Sequence, residues 1–154
     1  MSKGHIVNRI ERLRKEMAKT GTDAFVAVTD ESFNWETLYY LSGFRGTSGA
    51  LVIYKDSAEL ILDGRYREQG ETQSPHPILA QKKSLADDAI DSISAHGAEK
   101  ILCEASKTSH ATWEKLASAK KTRWCDATPV ISELRRSKDG HEAECIIKAG
   151  EIAA

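Results

Sequence analysis

Apolar residues at Ile6, Ile10, Leu13 and Met17 are spaced by four and three, which predicts an amphipathic helix stopped by Gly21. Ala24 to Thr29 is an unbroken apolar run of β-formers and predicts a strand buried on both faces. Trp35 to Leu41 fits one helical turn leading into a glycine-punctuated loop. Ala50 to Tyr54 and Ala58 to Leu62 then flank Lys55-Asp56-Ser57, a hairpin by loop length. A polar helix is expected over Arg65 to Gln73 with Asp63 as its N-cap, ending before Pro75-His76-Pro77. Ile78 to Ala80 predicts a short strand. Ser84 to Asp87 approximates a capping box for a helix with Leu85, Ala89, Ile90 and Ile93 on one face, closed by His96 and Gly97. Lys100 to Glu104 predicts a strand, Ser109 to Ala119 a helix bearing Trp113 and Leu116, and Arg123 to Asp126 a last strand. Val130, Ile131 and Leu134 open a further helical segment. Asp139 and Glu142 cap another, which reaches Ala154 without a terminating Gly, Pro or basic turn and is expected to continue.

This order predicts an α/β fold, a mixed β-sheet flanked by helices. Its 154 residues suit one domain, or one domain plus an appended element. A chain of this length buries roughly 68–70% of its unfolded surface, so the core needs no disulfide or metal. Basic and acidic residues balance at 22 against 23 with no basic block, which argues against nucleic acid as a partner. No apolar run approaches the ~20 residues of a membrane span, and Met1 to His5 lacks the apolar region of a signal peptide. Three cysteines, Cys103, Cys125 and Cys145, without a CxxC spacing predict reduced thiols in a cytoplasmic protein. Cys103, inside an apolar strand, is expected to act as a small hydrophobe.

The motif richest in possible chemistry is Tyr40-Leu41-Ser42-Gly43-Phe44-Arg45-Gly46-Thr47-Ser48-Gly49. A strand follows the glycines where a phosphate loop requires a helix N-terminus, which argues against nucleotide binding. The spacing also fails the G-x-S-x-G pattern of a nucleophile elbow. His5, His76, His96, His110 and His141 are scattered and form no HExxH, and Glu142 beside His141 is explained as a capping residue. The loop is expected to hold Phe44 and Arg45 outward. Asp63-Gly64-Arg65-Tyr66 follows a predicted strand, where α/β sheets place their crevices, and Arg65 and Tyr66 are candidates for a surface shared with Phe44 and Arg45. The competing reading has Asp63 as a cap and Arg65 or Tyr66 packed internally. Trp35, Tyr39 and Tyr40 offer amphipathic area for an interface or for the core.

The glycine motif, followed by Leu62-Asp63-Gly64-Arg65-Tyr66 and by Leu134-Arg135-Arg136-Ser137-Lys138-Asp139-Gly140-His141-Glu142, resembles the N-terminal domain of creatinases, prolidases and Xaa-Pro aminopeptidases. The resemblance implies a ribonuclease H-like sheet over residues 1–130. It makes residues 131–154 a linker and the first helix of a following catalytic domain of pita-bread fold. It implies no cofactor in this chain. Two divalent metal ions, manganese foremost, are expected in the catalytic domain, on two Asp, one His and two Glu. The implied function is non-catalytic: to aid homodimerisation and to restrict short proline-containing peptides at the neighbouring subunit's active site. Phe44, Arg45, Arg65, Tyr66 and Trp35 are the candidates for that work. Other readings are a peptide- or protein-binding module of the same fold, a creatinase-type parent, and a purely structural domain.

Overall fold

The computed structural model describes residues 3–31 and 33–153; Met1, Ser2 and Ala154 of the sequence reading lie outside them. Its elements run α1 (Gly4–Thr20), β1 (Ala24–Asp30), α2 (Trp35–Ser42), β2 (Ser48–Tyr54), β3 (Ala58–Leu62), α3 (Arg67–Gln73) and β4 (Ile78–Ala80). They continue through α4 (Leu85–Ala95), β5 (Lys100–Cys103), a 3-10 turn (Ala105–Lys107), α5 (His110–Ala117), β6 (Arg123–Asp126), α6 (Thr128–Arg136) and α7 (Gly140–Ala153).

The predicted mixed sheet is present, with strands in the order β4-β3-β2-β1-β5-β6. β2 pairs antiparallel with both β1 and β3, while the pairs β1–β5, β5–β6 and β3–β4 are parallel. β2 therefore runs against the other five strands. This reversal follows from the sequence: the Lys55–Ser57 turn is too short to cross over, whereas β1 reaches β5 only after the hairpin, β4 and three helices.

The buried strands alternate strictly between two cores. Phe25, Ala27, Leu51, Ile53, Leu60 and Leu62 face α1, α2 and α6, joining Ile6, Ile10, Leu13, Leu38, Leu41, Ile131 and Leu134. Ala24, Val26, Val28, Ala50, Val52 and Ile61 face α4, joining Leu85, Ala89 and Ile93. A strand buried on both faces reads as continuously apolar, which is why β1 lacks polar alternation. Cys103 packs with Ala86 and Leu116 in a smaller cluster, and burial pushes its thiol up to about 11.

Caps follow the predicted chemistry where the side chain reaches. Ser84 and Ser109 accept the backbone N–H groups of Asp87 and Thr112. Asp139 and Glu142 form a reciprocal capping box, with N–H to carboxylate distances of 2.9 and 3.1 Å. Two expectations are corrected. α2 makes two turns, because Tyr40, Leu41 and Ser42 stay buried and keep the helix on the core until Gly43 ends it at φ 74°. α3 starts at Arg67, with Tyr66 in the cap position. The Asp63 carboxylate does not cap it, because it accepts the Arg65 backbone N–H at 2.8 Å and pairs with the Arg65 guanidinium at 2.8 Å.

Candidate functional site

The glycine loop is built around Phe44. Its side chain is 0% exposed, so the expectation that the loop presents it outward is overturned. The cause lies at Gly46, where a Cβ would stand 2.1 Å from Phe44 Cζ. The glycine leaves the space into which the ring folds back. Tyr66 meets that ring edge-on at 5.5 Å, and its hydroxyl lies 2.9 Å from Thr47 Oγ1. Tyr66 is thus a brace of the loop.

Arg45 does point out. Its backbone N–H donates to Gln73 Oε1 at 2.9 Å, and its guanidinium lies over the Tyr39 ring, 5.4 Å from the centroid. Trp35, 44% exposed, lines the same groove of about 390 Å³, together with Tyr39, Tyr40 and residues of α6 and α7. A second groove of about 290 Å³ adjoins it, sharing Arg9, Tyr39 and Arg45 and reaching Gly43 and Gln73. Arg65 does not join this surface. It lines a separate open cleft with Gly64 and Gln81 to Lys83, its guanidinium tied to Asp63 and lying over Tyr66. Of the five sequence candidates, then, Trp35 and Arg45 share a groove, Tyr66 and Phe44 support the loop beneath it, and Arg65 stands apart.

Several groove residues escape the sequence reading. Arg9, only 4% exposed, donates to the Tyr40 carbonyl at 3.0 Å and to Asp139 Oδ2 at 2.6 Å, and its guanidinium lies 4.3 Å from the Tyr40 ring centroid. An arginine on the apolar stripe between Ile6 and Leu13 was the available signal. His5 and His141 stack with ring centroids 4.2 Å apart. Burial, then His141 and Arg9, hold the His5 pKa below its ordinary value. Arg135 and Lys138 close the groove from the end of α6. Burial pushes the Tyr40 phenol up, so this ring stays neutral across the physiological range.

The described residues contain no group of three or more His, Cys, Asp and Glu able to hold a metal. No helix among the described residues is long and apolar enough to cross a membrane.

Residues 9–137 match the Creatinase/Prolidase N-terminal domain family. The chain is 25% identical over 149 residues to the uncharacterized peptidase YqhT of Bacillus subtilis, covering 94% of this chain and 40% of that protein. It is 33% identical over 94 residues to a probable Xaa-Pro aminopeptidase P of Verticillium alfalfae, covering 56% of this chain and 15% of that protein. Among solved structures, the N-terminal domain of the cytoplasmic peptidase PepQ from Mycobacterium tuberculosis superposes with a TM-score of 0.72 at 28% identity, covering 82% of this chain and 98% of that one. The chain thus spans less than half the length of these two curated relatives and nearly all of a solved N-terminal domain. With its sheet, its Gly43–Gly49 loop and its match over most of its length, the chain belongs to the creatinase/prolidase N-terminal domain family.

Proposed function

We propose that this chain is the non-catalytic N-terminal domain of a proline-specific metallopeptidase, an Xaa-Pro aminopeptidase or dipeptidase. In this reading it contributes to a homodimer and restricts access to the neighbouring subunit's active site. The observation that carries the reading is the family match over residues 9–137, with relatives named as Xaa-Pro peptidases and much longer than this chain. The catalytic residues and their two divalent metals, manganese foremost, belong to the part of the parent outside the match. The chain by itself is expected to be inactive.

Residues 1–130 form the domain in this reading, and 131–154 lead into the catalytic one. The exposure of Ile146, Ile147 and Ile152 on α7 supports a helix that meets further protein. Trp35 and Arg45, open on one groove, are the surface for controlling entry of short proline-containing peptides. The parent is placed in the cytoplasm, as the PepQ relative is by its name. A binding module without hydrolysis is the competing reading, favoured by the same open groove.

The test is hydrolysis of Xaa-Pro peptides by the parent protein, with and without Mn²⁺, alongside its mass in solution. Metal-dependent cleavage before proline by a dimer is the expected outcome. A folded, metal-supplied parent that cleaves nothing would leave the binding module. Arg45→Ala is expected to lower kcat/KM without loss of fold.

A further inference from the structure

The groove between α2, α6 and α7 carries more positive charge than its own acids neutralise. Among the described residues, the guanidiniums of Arg45, Arg123 and Arg135 have neither a hydrogen-bond nor an ion-pair partner, and two of those three line this groove. Lys138 at the rim donates to the carbonyls of Arg135 and Arg136 at 2.7 and 3.2 Å and meets no carboxylate. Glu36 and Glu142 are the acids that line the groove, and each already has another cation. The buried Glu104 carboxylate feels the Arg135 charge from behind the groove but forms no ion pair with it and accepts the Thr37 hydroxyl. Glu36 lies 3.7 Å from Lys107 Nζ. Glu142 lies 3.7 Å from the Arg9 guanidinium and accepts the Asp139 N–H.

The free guanidiniums are also held in place. Arg45 lies over Tyr39 and Arg135 over Tyr40, at 5.4 and 5.8 Å from the ring centroids. An aromatic face fixes the plane of a guanidinium without occupying its in-plane N–H donors, which match the geometry of a carboxylate. Trp35 adds an open apolar wall beside them. The volume of about 390 Å³ falls in the range of small-ligand clefts. Unpaired forks, neutralised acids and an exposed indole together call for an anion attached to an apolar group.

We propose that this groove binds the free carboxylate end of a short peptide, with the carboxylate on Arg45 and Arg135 and the preceding side chain against Trp35. The choice of a peptide over other carboxylates rests on the function proposed above. The site lies on this domain and needs no metal.

The 154-residue chain suffices for the test, since a relative's N-terminal domain has been crystallised as such. Ala-Pro-Ala with a free C-terminus, its C-terminal amide and inorganic phosphate are titrated separately, with the Trp35 indole N–H followed by NMR. The free acid is expected to bind about tenfold more tightly than the amide, a margin typical of a charge-assisted fork. Arg45→Ala and Arg135→Ala are each expected to weaken it about fivefold or more, and Arg123→Ala to leave it unchanged. Equal binding of acid and amide, or no loss in Arg45→Ala and Arg135→Ala, overturns the proposal. Phosphate binding as tightly as the peptide acid overturns the peptide assignment. An active parent whose domain fails this titration refutes the groove alone, whereas a domain that binds within an inactive parent refutes the peptidase reading alone.

Discussion

Arg9 Nε lies 2.6 Å from Asp139 Oδ2, so a residue of the first helix grips the cap of the last one, 130 positions away. The same guanidinium donates to the Tyr40 carbonyl and lies over the Tyr40 ring. One buried cation therefore ties α1, α2 and the start of α7 together. Since α7 buries none of its residues, this attachment and the His5–His141 stack hold it to the body.

Arg9→Ala is accordingly expected to cost about 2–4 kcal/mol, because it strands the Tyr40 carbonyl and leaves Asp139 half-buried without its cation. Urea denaturation measures the loss. Hydrogen exchange locates it, with faster exchange expected across α7 than across the strands. A cost confined to a few tenths of a kcal/mol would mean that α7 is held by something other than this arginine.

Gly46 and Gly64 make opposite predictions from the same substitution. Alanine at 46 would drive its Cβ into the Phe44 ring, which is enclosed and cannot retreat. Overpacking of this kind costs about 1–3 kcal/mol. Alanine at 64 meets nothing within 4 Å and is expected to change stability by less than about 0.5 kcal/mol. Thermal or urea melts of the two variants decide it, and equal losses would refute the role assigned to Phe44.

The layout of the sheet was legible because β1, β2 and β3 are apolar runs separated by turn residues, and amphipathic spacing marked α1 and α4. The candidate site was half legible. Arg45 and Trp35 stand out by residue type, but the fate of Phe44 depended on a ring folding back over Gly46, which no spacing encodes. Arg9 was hidden by distance along the chain. Its partners Tyr40 and Asp139 are brought near only once α1, α2 and α7 are assembled. Asp63 was misplaced for a local reason, since its carboxylate could cap a helix or close on Arg65, and the shorter reach won.

His76 sets an acid limb. Its Nε2 lies 2.9 Å from the Leu41 carbonyl, so the neutral ring donates there, and burial holds its pKa below the ordinary 6.5. The unfolded chain then binds the proton more readily than the folded one. This contribution is present above pH 6.5 and is lost as pH falls through the lowered folded value. His76→Gln, which keeps a donor, is expected to flatten the decline in stability below pH 6.5 while lowering stability at pH 8 only modestly. An unchanged slope would remove His76 from the acid response.

Glu104 has the opposite sign. It sits buried just beyond β5 and accepts the Thr37 hydroxyl at 2.6 Å, joining the strand end to α2. Burial pushes its pKa above the ordinary 4.5, with the Thr37 hydrogen bond and the Arg135 charge only partly offsetting it. The folded state therefore holds this proton more tightly than the unfolded chain does. Its contribution is complete below pH 4.5 and is lost as pH rises through the raised folded value. Glu104→Gln keeps an acceptor for Thr37 and cannot ionise, so stability should gain relative to the parent chain as pH rises from 4.5 to 8. Thr37→Val removes the hydroxyl and leaves the carboxylate buried without its donor, a loss of about 1–3 kcal/mol at pH 7 that should shrink at pH 4. Urea midpoints of the two variants across that range test both statements. A Thr37→Val cost that stays constant with pH would mean the hydroxyl matters for packing and not for the charge on Glu104.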